Sequence, residues 1–158
     1  MDSPNAKPVA VGDLAPDFTR KAYDGTTFKL SEVAASKAVV MFFYPRDFSP
    51  ICTAQACAFR DSYEDFKQAG AEVVGISADE EASHEKFSKE HRLPFKLVSD
   101  ADGSLRALFG VPKAIFLFPG RTTYVIDRTR TVRDVFTAQL QSDGHVKQAL
   151  AIVKGLKS

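Results

Sequence analysis

Cys52 and Cys57 are the only two cysteines in 158 residues, and four residues separate them. A structural disulfide gains most by closing a long loop, and this pair would close a very short one. Their proximity therefore points to chemistry rather than to stability. The surrounding segment reads Phe42-Phe43-Tyr44-Pro45-Arg46-Asp47-Phe48-Ser49-Pro50-Ile51-Cys52-Thr53-Ala54-Gln55-Ala56-Cys57. An apolar run ends at Tyr44 and Pro45 breaks it. Ser49-Pro50 then reads as a helix start, because serine is a good N-cap and proline suits the first helical position. Cys52 falls in the first turn, where backbone N–H groups without intrahelical partners and the positive end of the helix dipole favour a thiolate. Arg46, Arg60 and Arg121 are the cations that could add to that effect.

Five residues along a helix amount to roughly 500° of rotation and about 7.5 Å of rise, so Cys57 points about 140° away from Cys52. A disulfide needs Cα atoms within roughly 7 Å and converging side chains. The two sulfurs cannot bond while the helix is intact. This spacing implies a folded, reduced state that holds the reactive thiolate and a locally unwound state in which Cys57 reaches the oxidised Cys52.

The elements that must position this pair follow from the apolar pattern. Ala38–Phe43, Glu72–Ile76, Ala114–Phe118 and Thr123–Ile126 read as buried strands, and Val132–Phe136 as a fifth after a turn at Asp127–Arg130. A helix is expected from Pro50 to Ala69, with Ile51, Ala54, Ala58, Phe59, Tyr63 and Phe66 near one face. A second helix, capped by Asp79, should run to about His91 before Leu93-Pro94. A short third should span Asp102–Phe109 with Gly110 as its stop, and a last one should begin at Ser142 or Asp143. Strands alternating with helices, then consecutive strands, imply an α/β thioredoxin-like domain: a central mixed sheet with helices on both faces.

Length and composition fit one domain spanning 1–158, with a loose segment at 1–10. Twenty-one Lys and Arg against 20 Asp and Glu leave no electrostatic footprint for nucleic acid. The longest apolar run, Ala38–Tyr44, is far short of the ~20 residues of a membrane helix. The first residues lack the pattern of a secretory signal. Two cysteines and the scattered His84, His91 and His145 give no metal-binding spacing, so no metal or cofactor is expected and the histidines are read as solvated.

Pro45-x-x-x-Ser49-x-x-Cys52 resembles the peroxiredoxin signature Pro-x-x-x-Thr/Ser-x-x-Cys. Ala56-Cys57-Ala58-Phe59-Arg60-Asp61, the run Gly70–Ser77, Arg92-Leu93-Pro94-Phe95 and Pro119–Asp127 are similar to the peroxiredoxin Q (bacterioferritin comigratory protein) subfamily. The likeness extends from Ala15-Pro16-Asp17-Phe18 to the last helix. It implies a thiol peroxidase for hydrogen peroxide and organic hydroperoxides, in which Cys52 becomes a sulfenic acid. It implies that Ser49 binds peroxide and thiolate, that Pro45 shields the site from water, and that Arg121 orients the peroxide. Cys57 is the implied intramolecular resolving cysteine, and thioredoxin or a similar dithiol protein the implied reductant.

By the same resemblance the chain would be a monomer of the bacterial cytoplasm or chloroplast. Departures from the pattern are Ser49 for the commoner Thr, Ile51 for Gly, Phe48 for a polar residue and Gln55 for Glu. Two other readings use the same cysteines: a protein thiol–disulfide oxidoreductase and a redox-responsive holdase. The first usually has two residues between its cysteines, not four. The second needs neither Ser49 nor Arg121.

Overall fold

A computed structural model describes residues 9–44, 47–111, 122–137 and 142–156. A hairpin of β1 (Thr19–Lys21) and β2 (Thr27–Lys29) leads into the short helix α1 (Leu30–Ala34) and the central strand β3 (Ala38–Phe43). Helices α2 (Pro50–Asp61) and α3 (Tyr63–Gln68) precede β4 (Ala71–Ser77). Then come α4 (Glu81–His91), β5 (Lys96–Ser99), α5 (Ser104–Phe109), β6 (Thr122–Ile126), β7 (Val132–Thr137) and α6 (Ser142–Gly155).

The main sheet has the order β5-β4-β3-β6-β7, with β3, β4 and β5 parallel and β6 and β7 antiparallel to their neighbours. This is the expected mixed sheet. Every residue of β3 is buried, and its side chains alternate between two cores as strand geometry requires. Val40, Phe42 and Tyr44 meet Phe59, Phe66, Phe87 and Val153 on one side, whereas Val39, Met41 and Phe43 meet Phe18, Phe28, Leu105 and Phe109 on the other. Helices α2, α3, α4 and α6 thus cover one face, and α1, α5 and the hairpin the other.

Four strand readings agree closely with β3, β4, β6 and β7, and the turn at 127–130 is closed by the Arg130 N–H donating to the Asp127 carbonyl at 2.9 Å. The expected strand Ala114–Phe118 lies outside the described residues. So does the expected loose segment, apart from Val9 and Ala10, whose amides donate to the Phe109 carbonyl and the Asp13 carboxylate. The β1–β2 hairpin, α1 and β5 were not expected; at three to five residues each they are too short to show a period.

Two helix readings need correction. The single helix over 50–69 is interrupted at Ser62, whose backbone (φ −102°, ψ 5°) leaves the helical region. The restart lets Tyr63 Oη donate to Glu72 on β4 at 2.7 Å and turns Phe66 into the core. On α2 the buried stripe is Cys52, Ala56 and Phe59, spaced i, i+4, i+7, and Ala54 is exposed. Asp79 does not cap α4; that position belongs to Glu80, because the Asp79 carboxylate accepts from Ser77 and from the Asp47 backbone instead. The third helix ends at Phe109 as expected, with Gly110 left-handed at φ 67°. It begins at Ser104 rather than Asp102, whose carboxylate accepts from the Ser104 N–H and hydroxyl. The last helix begins at Ser142, as expected.

One glycine fixes how β3 presents its aromatic face. Gly75 lies opposite Phe42 on β3 and Leu97 on β5, and a Cβ there would come within 2.8 Å of both side chains. That space is what lets Phe42 lie flat and stack on Phe59 of α2, with centroids 4.5 Å apart and planes 14° from parallel. Gly75→Ala should therefore lower the unfolding free energy by about 1–3 kcal/mol, the usual scale for overpacking a filled core. A urea titration followed by tyrosine fluorescence measures this, and a loss under about 0.5 kcal/mol would mean the rings move aside freely.

Candidate active site

The site is built where β3 ends. Tyr44 extends the strand by donating its N–H to the Ile76 carbonyl at 3.0 Å. Asp47 turns inward and is 4% exposed. Its carboxylate accepts from Tyr44 Oη at 2.6 Å and Ser83 Oγ at 2.8 Å, and it pairs with His84 Nδ1 at 2.8 Å. The other ring nitrogen of His84 is 3.2 Å from the Val98 carbonyl. The Asp47 N–H donates to Asp79 Oδ2 at 2.6 Å. The buried carboxylate ties the loop to the end of β3 and to α4 directly and to β5 through His84, and breaking a buried pair of this kind costs several kcal/mol. Burial, reinforced by the Asp47 carboxylate, pushes the Tyr44 phenol well above its ordinary pKa and keeps it a donor.

Phe48 follows with φ 66°, a left-handed conformation that costs a side-chain-bearing residue roughly 1–2 kcal/mol. Its ring packs edge-on against Phe87 of α4 at 5.1 Å. Ser49 is the N-cap residue in extended conformation (φ −70°, ψ 148°). Its carbonyl accepts the first helical hydrogen bond, from Thr53 at 2.8 Å, but its side chain makes no cap bond. Cys52 lies in the first turn, 1% exposed. Cys57 is half-buried on the same helix, and no disulfide joins the two.

The sequence candidates are brought together only in part. Ser49 and Cys52 share one helix start; Pro45, Arg46 and Arg121 lie outside the described residues. Arg60, considered as a cation for Cys52, is engaged elsewhere: Nε donates to Asp61 at 3.0 Å and Nη1 to the His91 carbonyl at 2.8 Å. The bond to Asp61 first, and then the nearby Cys57 sulfur, raise its pKa. A different buried arginine reaches the end of β3. Arg106 Nη2 donates to the Tyr44 carbonyl at 3.3 Å, and burial lowers its pKa against the pull of Asp100.

The histidines correct the solvated reading. His84 and His145 are fully buried, the first between Asp47 and Val98, the second 2.6 Å from Thr123 Oγ1 and edge-on to Phe136. His91 has a side chain only 24% exposed, with Nδ1 3.9 Å from the Cys57 sulfur. Sequence reasoning missed Asp47, His84 and His91 because their roles depend on α4 folding back over the loop. Asp47, Asp79 and His84 bring ligand-type atoms within 4.8 Å of one another. Those atoms are already occupied by the hydrogen bonds above, so the cluster is a structural clamp. A cavity of about 310 Å³ lined by Ser36, Ala38, Gly70, Asp127 and Val153 opens at the opposite end of β3 and has no part in this site.

The AhpC/TSA family matches residues 11–135, which include every cysteine and candidate site residue. The chain belongs to the AhpC/TSA family. It is 48% identical over 149 residues to the chloroplastic peroxiredoxin Q of Triticum aestivum, covering 94% of this chain and 68% of that protein. Among solved structures it is similar to peroxidoxin BcpB of Mycobacterium tuberculosis, with TM-score 0.88, 38% identity and 95% and 99% of the two chains covered. It is also similar to the bacterioferritin comigratory protein of Xanthomonas campestris, studied for alkyl peroxide reduction, with TM-score 0.81, 28% identity and coverage of 93% and 96%. The mixed sheet with helices on both faces is therefore the thioredoxin-like fold of the peroxiredoxins, and the protein is a thiol-dependent peroxidase.

Among the described side chains of α2, Gln55 is at odds with its surroundings. It is 0% exposed, and no described residue offers a hydrogen bond to either amide atom. A buried unpartnered polar group costs about 1–3 kcal/mol. Gln55→Met, close in volume, should raise the unfolding free energy of the reduced protein by about 1–2 kcal/mol in a urea titration. A decrease would show that the amide is satisfied in solution.

Proposed function

We propose that the peroxidase works through both cysteines of α2. The Cys52 thiolate attacks one oxygen of a hydroperoxide, the O–O bond breaks, and an alcohol or water leaves as Cys52 becomes a sulfenic acid. Cys57 then attacks the Cys52 sulfur, the S–O bond breaks, and water leaves as the disulfide forms. A dithiol protein of the thioredoxin type restores both thiols by exchange. Ser49 serves the peroxide and the thiolate, Pro45 keeps water out, and Arg121 orients the peroxide and balances charge.

The observation that carries this reading is the placement of Cys52 in the first turn behind Ser49-Pro50, with Cys57 on the same helix and out of bonding reach. The first turns of α2 must therefore unwind between the two steps. Two features favour that: the strained Phe48 backbone, and the Gln55 amide, which unwinding exposes to water. The rest of the helix is held by Phe59 on Phe42 and by Arg60 on the His91 carbonyl. Because the pair lies within one chain, the cycle needs no second copy, and a monomer suffices. The peroxiredoxins Q of Triticum aestivum and Populus jackii are chloroplastic, and the chloroplast or a bacterial cytoplasm is the setting that suits a thioredoxin-linked enzyme of this kind.

The test is hydrogen peroxide consumption coupled to thioredoxin, thioredoxin reductase and NADPH. Cys52→Ser should lower turnover by more than about a thousandfold, the scale of losing a nucleophile. Cys57→Ser should still consume one equivalent of peroxide but turn over with thioredoxin at no more than about a tenth of the wild-type rate. Undiminished thioredoxin-linked turnover in Cys57→Ser would show that another thiol resolves Cys52.

A further inference from the structure

His91 closes α4, and Arg92 beyond it turns left-handed at φ 53°. Its ring stands against Phe87 at 5.1 Å and Phe48 at 6.5 Å, and its backbone carbonyl accepts from Arg60 of α2. Within that frame its two nitrogens face different partners. Nδ1 lies 3.9 Å from Cys57 Sγ, and Nε2 lies 3.6 Å from the Glu90 carboxylate. A carboxylate beside Nε2 favours the tautomer with hydrogen there, which leaves the Nδ1 lone pair directed at the thiol. Among the described residues, the charged groups facing the ring are Glu90 from α4 itself and, from α2, Arg60, which is paired with Asp61. From the described part of the loop before α2, Phe48 turns its ring toward His91.

We propose that His91 is the base that accepts the Cys57 proton in the resolving step, a role that rests on the two-cysteine reading above. A thiol is a poor nucleophile until its proton is removed, and a positioned imidazole is suited to removing it near neutral pH. The contact survives the unwinding that the step requires. Arg60 lies three residues beyond Cys57, and its tie to His91 secures the part of α2 that stays helical while the Cys52 turn opens. The Cys57 S–H bond breaks, its proton passes to Nδ1, and its electron pair forms the S–S bond. The Cys52 S–O bond breaks, and the departing hydroxide takes that proton from His91 and leaves as water. One sulfenic acid and one thiol give one disulfide and one water, and the imidazole returns neutral.

The test follows disulfide formation after one equivalent of hydrogen peroxide, by rapid acid quench, alkylation and mass spectrometry of the intact chain. Wild type, His91→Gln and His91→Phe are compared; phenylalanine keeps a ring against Phe48 and Phe87 but cannot take a proton. Both variants should oxidise Cys52 at a rate within about twofold of wild type yet form the disulfide on the order of 10–100-fold more slowly at pH 7. Between pH 8 and 7 the wild-type resolving rate should stay within about twofold, whereas both variants should slow several-fold as hydroxide falls, because water alone then has to take the proton. Resolution at the wild-type rate and pH dependence in His91→Phe would reduce His91 to packing and overturn the proposal. If wild type itself forms no disulfide, the two-cysteine reading falls and the base falls with it.

Discussion

Helical geometry separates Cys52 and Cys57 by about 7.5 Å along the axis of α2 and about 140° around it, whereas a disulfide demands converging side chains. An intact α2 and a bond between these sulfurs thus exclude one another, and the rest of the site accommodates that constraint. The helix has to be a rigid platform for a buried thiol in one state and partly open in the next. Its two ends are accordingly held by different means.

Beyond Cys57 the hold is apolar and extensive. Phe59 stacks on Phe42, Phe42 fits over Gly75, and Arg60 fastens α2 to the last carbonyl of α4. Before Cys52 the hold is polar and concentrated in Asp47, whose carboxylate gathers Tyr44, Ser83 and His84. Between these anchors lie the strained Phe48, just before the helix, and in its first turns the buried Gln55 amide without a described partner, both of which lower the cost of opening this stretch. Unwinding can then stay local: the Asp47 clamp fixes where the loop begins, and the Phe59 stack fixes where the helix resumes.

The parts legible in the sequence are those written in local pattern. The buried strands β3 and β4, the helix start at Ser49-Pro50 and the Cys52–Cys57 spacing are all short-range signals. Most of the parts that escaped depend on chain segments more than thirty residues apart. His84 reads as one more polar residue on a charged helix, and only the return of α4 over the loop makes it the partner of Asp47. His91 likewise gains meaning only when α4 delivers it to Cys57. Ser62 looks like the interior of a long helix because neither break nor restart leaves a proline or glycine there. Asp79 has the residue type of a cap, yet the buried backbone of Asp47 competes for the same carboxylate and wins.

The central claim is that α2 opens locally at its N-terminal end when the disulfide forms, and hydrogen–deuterium exchange tests it most directly. Peptides covering 50–57, 58–61 and 71–77 are compared in the reduced protein and after one equivalent of peroxide. The account predicts that amides of the first segment lose protection by at least about a hundredfold in the disulfide form, while those of 58–61 and of β4 keep theirs. Equal protection of residues 50–57 in both forms would contradict it, and so would a loss of protection spread through α2 and β4 alike.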